Sequence, residues 1–271
     1  MHIAKAMRKL VRTVPSESVA AFETIKFEND LRAAHFIGQL AHESNFKPVS
    51  ENLNYSASAL RRVFGKYYPT NAAAQQAARK PMEIANKVYG GRMGNRKGTS
   101  DGWNFRGRGF IQITGRNNYT AAKKAIGVDI IKEPDLALNP DIATKIALWY
   151  FDMRNIWPHC DANNVDRVTK LINGGFNGLA DRRKKTKIAL QVLNGQPEPL
   201  STVRYGSRGA DAQLLQSALN EMGFGPIVAD GIFGQRSVAA LRKMQAAWNL
   251  AVDGICGRNT WKMIAERGEA A

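Results

Sequence analysis

The stretch Leu31–Ser56, LRAAHFIGQLAHESNFKPVSENLNYS, restricts the fold more than any other part of the chain. Read as a helix, it places Phe36, Leu40 and Glu43 within roughly 60° of arc, so Glu43 leaves an otherwise apolar face near the helix end. Burial on such a face favours the protonated form of a carboxyl. Pro48 disfavours helical geometry at the residue before it. The chain is therefore expected to turn after Phe46 and bring Glu51 back on a polar loop. On one continuous helix the two glutamates would instead lie about 12 Å apart in rise. An enclosed acid opposite a wetter carboxylate is what glycosidic bond hydrolysis requires. Spacing alone equally allows a helix-terminal glutamate and an unrelated surface one.

The 271 residues allow one medium domain and a smaller one. No run reaches the length of apolar residues that a membrane helix needs. The N-terminus, MHIAKAMRKLVRTVP, scatters basic residues among apolar ones and lacks the h-region of a secretion signal. It reads as a packed amphipathic helix, with contact to an anionic leaflet as the other possibility. Synthesis in the cytoplasm follows, so action beyond the membrane needs outside help. Cys160 and Cys256 are far apart and read as free thiols. His2, His35, His42 and His159 form no HExxH and no compact ligand set. No metal or cofactor is expected, and a zinc amidase is disfavoured.

The formal charge is +16, and it is uneven. Residues 1–203 hold 31 Lys+Arg against 17 Asp+Glu, whereas residues 204–271 hold 8 against 6. The larger part therefore favours a polyanionic partner: nucleic acid, an anionic leaflet or an acidic wall polymer.

In order along the chain, helices are expected over residues 1–30 with a break at Pro15, through Phe46, from a Ser56 or Ser58 cap toward Pro69, over NAAAQQAARK, and from Pro81 through Val88. No alternation of strand and helix appears, so the first domain is mainly α. Gly90–Gly109 is rich in glycine and arginine, a composition that also suits RNA. The following FIQIT alternates as a short strand, with Ile111 and Ile113 on one face and Gln112 and Thr114 on the other. Asn117 and Asn118 come beside them, a set of amides and a hydroxyl suited to sugar. An ordinary hairpin is the plainer alternative. A helix is expected to start after Pro140, with Ile142, Ile146, Trp149 and Tyr150 read as its core stripe. Asn173-Gly174-Gly175 permits a tight turn, and Arg182 opens the next helix.

After a short linker, ADGIFGQRSVAAL and VDGICGRNTWKMI repeat D-G-I-x-G-x-x-[ST] before an apolar helix start. Each is expected to be an Asp-Gly turn with Ser237 or Thr260 as the helix cap. With a preceding helix at Ala210–Met222, the tail makes a small three-helix bundle suited to binding.

HESNF…ENLNYSA, GRGFIQITGRNNY and INGG…ADRR together resemble glycoside hydrolase family 19, in the branch of phage and bacterial endolysins. The tail resembles the peptidoglycan-binding domain. The resemblance implies a lysozyme-like, mainly α-helical catalytic domain with a small β element over residues 1–194, a linker at 195–203, and the binding domain at 204–271. It implies Glu43 as general acid, Glu51 as second carboxylate and Thr114 as the hydroxyl holding the attacking water. Gln112, Asn118, Asn173 and Arg182 match substrate-binding positions. Asp230, Gly231, Gly234, Asp253, Gly254 and Gly257 match the wall-binding module. One departure is a loop from Glu43 to Glu51 one residue shorter than the branch's HES-Gly-Gly-Phe.

The activity so implied is lysozyme-type, inverting hydrolysis of peptidoglycan strands that lyses a host cell. The enzyme would act in the periplasm as a monomer after holin-dependent release, with anionic wall or membrane surfaces as further partners and nucleic acid excluded. The alternatives are a chitinase, a lytic transglycosylase and a non-catalytic wall binder.

Overall fold

The computed structural model describes residues 2–195 and 200–268, and the chain divides into two compact units, Met1–Pro197 and Glu198–Ala271. Part of the expected linker, residues 196–199, lies outside the described residues. The fold is mainly α with one two-stranded sheet. Among the described residues, no helix is long and apolar enough to cross a membrane.

The first unit opens with α1 (Ile3–Leu10) and α2 (Ser16–Glu23). The pattern of α1 buries Ile3, Ala6 and Met7 in the main core, so its apolar face is already covered. Ser16 begins α2 without capping it, because Pro15 occupies the capping position. Helix α3 (Asp30–Glu43) follows, capped by the Asn29 side chain, which accepts from the Arg32 N–H at 2.9 Å. It ends earlier than the sequence predicts. Asn45 and Phe46 take left-handed φ values of 49° and 59°, so the reversal falls at residues 44–46 instead of after Phe46.

Strand β1 (Val49–Ser50) then pairs antiparallel with β2 (Arg108–Gly109), Val49 opposite Gly109 and Ser50 opposite Arg108. Between them lie α4 (Ala57–Val63), capped by Ser56, and α5 (Asn71–Ala77), capped by Thr70. Pro81 opens α6 (Pro81–Tyr89), the position where its missing N–H is harmless, and a short α7 (Asp101–Asn104) precedes β2.

The expected FIQIT strand is a tight hairpin instead. Ile113 bridges back to Arg108, and Gln112 sits at φ 55°, which reverses the alternation. Phe110 and Ile113 are the buried pair, while Ile111 is only partly covered. The cause is tertiary. Phe110 packs edge-on against Phe22 at 5.3 Å between ring centroids, and Phe46 meets the same ring at 5.5 Å. These rings fasten the segment after α3 and the hairpin before Thr114 to one core.

The unit is completed by α8 (Arg116–Ile126), a 3-10 turn at Pro134–Leu138, α9 (Pro140–Met153), α10 (Trp157–Asp161), α11 (Val165–Asn173) and α12 (Leu179–Leu193). Asn139 caps α9, and Ile146 is its fully buried member of the expected stripe; Ile142, Trp149 and Tyr150 are partly buried.

The second unit contains α13 (Ala210–Glu221), α14 (Gln235–Ala247) and α15 (Arg258–Gly268). They enclose Val203, Leu215, Leu219, Phe233, Leu241 and Met244. Ser237 does not cap α14 but lies buried within it, and Thr260 reaches back only to the Ile255 carbonyl at 3.5 Å. Cys160 and Cys256 are both free and buried, one in each unit.

Candidate active site

Helices α3 and α12 run antiparallel and almost touch, because α3 carries glycine where they cross. A Cβ on Gly38 would lie 2.8 Å from the Thr186 Cα. One turn along, this approach brings the α12 residue Arg182 against the end of α3. Its guanidinium is 1% exposed and donates to Gln39 Oε1 at 2.6 Å, to Glu43 Oε1 at 2.6 Å and to the Asn177 carbonyl at 3.2 Å. The apolar, unpaired surroundings expected for Glu43 are therefore absent. Its side chain is 20% exposed and ion-paired through one oxygen. Among the described residues, Oε2 has no hydrogen-bond partner. Arg182, expected against substrate, is enclosed, and its guanidinium is engaged by Glu43, Gln39 and the Asn177 carbonyl.

Beside Glu43, the His42 ring accepts or donates at Nδ1 with Asp181 Oδ2, 2.6 Å away, and Lys185 pairs with the same carboxylate at 2.8 Å. Burial works to raise the Asp181 pKa, but the bonds from His42 and Lys185 outweigh it and hold it below the ordinary range. The turn before α12 closes directly on the imidazole, with Gly178 against His42.

Glu51 is held from the other direction. Only the Ser44–Ser50 segment separates it from Glu43 in sequence, but its partners come from α6 and the β2 loop. The Tyr89 hydroxyl donates to Oε1 at 2.6 Å, and the Gly107 N–H donates to Oε2 at 3.3 Å. The Glu51 N–H returns a bond to the Gly107 carbonyl at 2.8 Å. Burial first, then the bond to Glu51, push the Tyr89 phenol far above its ordinary range, so it remains a donor.

Thr114 and Gln112 converge on the same place. A Cβ on Gly107 would lie 3.3 Å from Glu51 Cβ, 3.4 Å from Thr114 Oγ1 and 2.8 Å from Gln112 Oε1. Thr114 donates its hydroxyl hydrogen to the Gln112 carbonyl at 2.9 Å, which leaves its oxygen as an acceptor. Gln112 and Asn118, both expected against substrate, use their amide donors on the protein. Gln112 Nε2 bonds the Val49 carbonyl at 2.8 Å and the Gly109 carbonyl at 3.0 Å; Asn118 Nδ2 bonds the Thr114 carbonyl at 2.8 Å. They fix the β1–β2 pair and the Thr114 backbone. Asn173 is exposed at the end of α11, with no side-chain hydrogen bond among the described residues.

Sequence reasoning missed Tyr89 and Gln39. Neither lies in a recognisable motif, and each is identified only by the glutamate or arginine it touches. The arginines of the glycine-rich loop are largely committed within the unit. Arg96 and Arg116 both clasp Asp101, Arg108 bonds Asp135 at 2.7 Å, and Arg106 lies 3.6 Å over the Trp103 ring.

Two carboxylates are thus fixed in separate cradles on a helical scaffold, Glu43 by Arg182 and Glu51 by Tyr89 and the Gly107 N–H with the Thr114 hydroxyl beside it. Residues 14–196 match the family described as Chitinase class I, and residues 208–264 match the peptidoglycan binding domain. The chain belongs to glycoside hydrolase family 19 and carries a peptidoglycan-binding domain at its C-terminus.

A glycosyl hydrolase family 19 domain-containing protein of Haemophilus influenzae is 45% identical over 168 residues, 61% of this chain and 82% of that protein. An endochitinase of Arabidopsis thaliana is 40% identical over 75 residues, 27% of this chain and 26% of its own length. Among solved structures, chitinase C from Streptomyces griseus HUT6037 superposes with a TM-score of 0.44 at 18% identity, covering 70% of this chain and 75% of that one.

Proposed function

We propose that the chain hydrolyses the glycan strands of bacterial peptidoglycan as a lysozyme-type, inverting enzyme. The observation that carries this reading is the joining of the Glu43 and Glu51 cradles to a peptidoglycan-binding domain in one chain. The charge of +16 supports it, since an anionic wall attracts such a surface and neutral chitin does not.

In this reading, Arg182 holds Glu43 through Oε1, and Oε2 carries the proton given to the glycosidic oxygen. A water donates one hydrogen to Thr114 Oγ1 and the other to Glu51. Its lone pair attacks the anomeric carbon from the face opposite the leaving group. Glu51 takes the proton, the bond to the leaving oxygen breaks, and the configuration inverts. This chemistry needs about 6.5–9.5 Å between the carboxyl groups, enough for the water. Gln112, Asn118 and Tyr89 hold the water-activating side in place. Periplasmic action after holin-assisted release and lysis of a host cell as a monomer complete the proposal.

Similarity to enzymes named endochitinases favours chitin as a second reading. The test is Glu43→Gln in the full chain, applied to outer-membrane-permeabilised cells and isolated sacculi. Lysis should fall by about 10²–10⁴-fold, the usual worth of general acid–base help, while sacculus binding persists. Full lytic activity in the variant would refute the assignment.

A further inference from the structure

The repeated Asp-Gly turns of the second unit match the family motif, and each is tied to a buried glutamine. In the first, buried Gln216 donates to Asp230 Oδ1 at 3.1 Å, to the Ile232 carbonyl at 3.0 Å and to Ser237 Oγ at 3.0 Å, and it accepts from the Gly231 N–H at 2.8 Å. In the second, buried Gln245 donates to Asp253 Oδ1 at 2.9 Å and to the Ile255 carbonyl at 3.1 Å, and it accepts from the Gly254 N–H at 2.9 Å. Each aspartate also accepts from the N–H two residues on, at 2.8 Å. Asp230, Gly231, Asp253 and Gly254 thus help to build the two turns through these bonds.

A different face of the unit is open. The turn Arg204–Ser207 is closed by the Ser207 N–H on the Arg204 carbonyl at 2.9 Å and by the Arg204 N–H on Ser207 Oγ at 3.0 Å. Gly206 ties this turn to the Phe233 carbonyl at 2.9 Å. The turn holds Tyr205 outward at 66% exposure, with no ring or hydrogen-bond partner among the described residues. The second Asp-Gly turn packs on α14 so tightly that a Cβ on Gly254 would lie 3.0 Å from both Val238 Cγ1 and Arg242 Nε. The Ile255 N–H first, then Gln245, hold the Asp253 carboxyl below its ordinary range, with a smaller contribution from the Arg242 charge; Arg242 forms no ion pair among the described residues. Between Tyr205 and α14 lies a groove of about 450 Å³ lined by Tyr205, Gln235, Val238, Ala239 and Arg242, within the size range of small-ligand sites.

We propose that this groove is the muropeptide site of the second unit, an inference that rests on the peptidoglycan reading above. The C–H face of a sugar ring lies on Tyr205, the Gln235 amide meets an acetamido group, and Arg242 pairs with a carboxylate of the acidic peptide stem. An aromatic platform alone would accept any acetamido glycan. Arg242 is the element that distinguishes peptidoglycan, which carries carboxylates, from chitin, which has none.

The test is co-sedimentation of the full chain with purified sacculi and, separately, with chitin, using Tyr205→Ala, Arg242→Gln and Arg242→Lys. Thermal melting and cleavage of short soluble glycan fragments are measured alongside. Tyr205→Ala and Arg242→Gln should each weaken sacculus binding by about tenfold, the scale of one charge-assisted or stacking contact, with melting and fragment cleavage unchanged. Arg242→Lys should retain part of the binding, and Arg242→Gln should leave any chitin binding as it was. Sacculus binding equal to wild type in both Tyr205→Ala and Arg242→Gln would overturn the groove while sparing the proposed hydrolase. A wild-type chain that cleaves soluble fragments but never sediments with sacculi would overturn the groove and the peptidoglycan reading together.

Discussion

Asp101 and Glu43 are both carboxylates answered by arginine, and they serve opposite ends. Asp101 is 1% exposed, and both its oxygens are occupied. Arg116 reaches them at 2.7 Å through Nε and Nη2, and Arg96 adds its Nε, Nη2 and backbone N–H at 2.9–3.1 Å. The Arg116 bonds first, against the opposing effect of burial, then those of Arg96, hold Asp101 far below the ordinary aspartate range. Glu43 meets one arginine on one oxygen and stays 20% exposed. Asp101 ties a loop together; Glu43 keeps one oxygen without a hydrogen-bond partner among the described residues. Glu51 differs from both, with the Tyr89 hydroxyl on one oxygen and the Gly107 N–H on the other.

The comparison can be broken most forcefully at Asp101. Asp101→Asn should destabilise the first unit by about 3–5 kcal/mol, because it leaves two clustered arginines without their charge partner. The depressed native pKa fixes the sign with pH. The stabilisation is present above the ordinary aspartate value near 4 and is lost as pH falls below it. Thermal melts from neutral to acid pH should therefore show a steeper loss in wild type than in the variant. Equal slopes would mean that Asp101 is not the tie described.

Arg182→Met comes next, at about 3 kcal/mol, the lower end of the same range because water can reach the Glu43 side of the pair. Wall lysis should fall with it, whereas an unchanged rate in a folded variant would remove Arg182 from the positioning of Glu43. Gln245→Leu should cost about 1–3 kcal/mol by leaving the Gly254 N–H and the Ile255 carbonyl unpaired. It should lower the melting of the second unit without altering fragment cleavage. Tyr89→Phe sharpens the comparison most finely. It removes one donor from Glu51 and should reduce the turnover rate by about tenfold, with little change in melting. An unaltered rate would show that the Gly107 N–H alone orients Glu51.

Local signals were legible in the sequence and distant ones were not. Ser56 before α4 and Pro81 at the start of α6 act within a turn, so their residues alone place the helix starts; the Asn139 cap, which starts α9 at Pro140 itself, was not read. The internal repeat was legible as two turns, because Asp-Gly geometry is local as well. Its keystones, Gln216 and Gln245, sit in the matching runs Leu215-Gln216-Ser217-Ala218 and Met244-Gln245-Ala246-Ala247. The unequal spacing to their aspartates hides that match. The FIQIT alternation misled because the pull of Phe22 on Phe110 and the left-handed Gln112 outweigh a five-residue pattern. Glu43 and Glu51 were found as candidates, but their surroundings were not. Arg182 lies 139 positions from Glu43 and Tyr89 lies 38 from Glu51, and no periodicity connects positions so far apart.

The most direct measurement is the chemistry of the new chain ends. Sacculi digested by the full chain in heavy-oxygen water would be reduced and the released muropeptides identified by mass spectrometry. A water held by Thr114 and activated by Glu51 predicts muramyl reducing ends that each carry one heavy oxygen atom from solvent. Ends in the 1,6-anhydro form, which take up no water, would contradict the account.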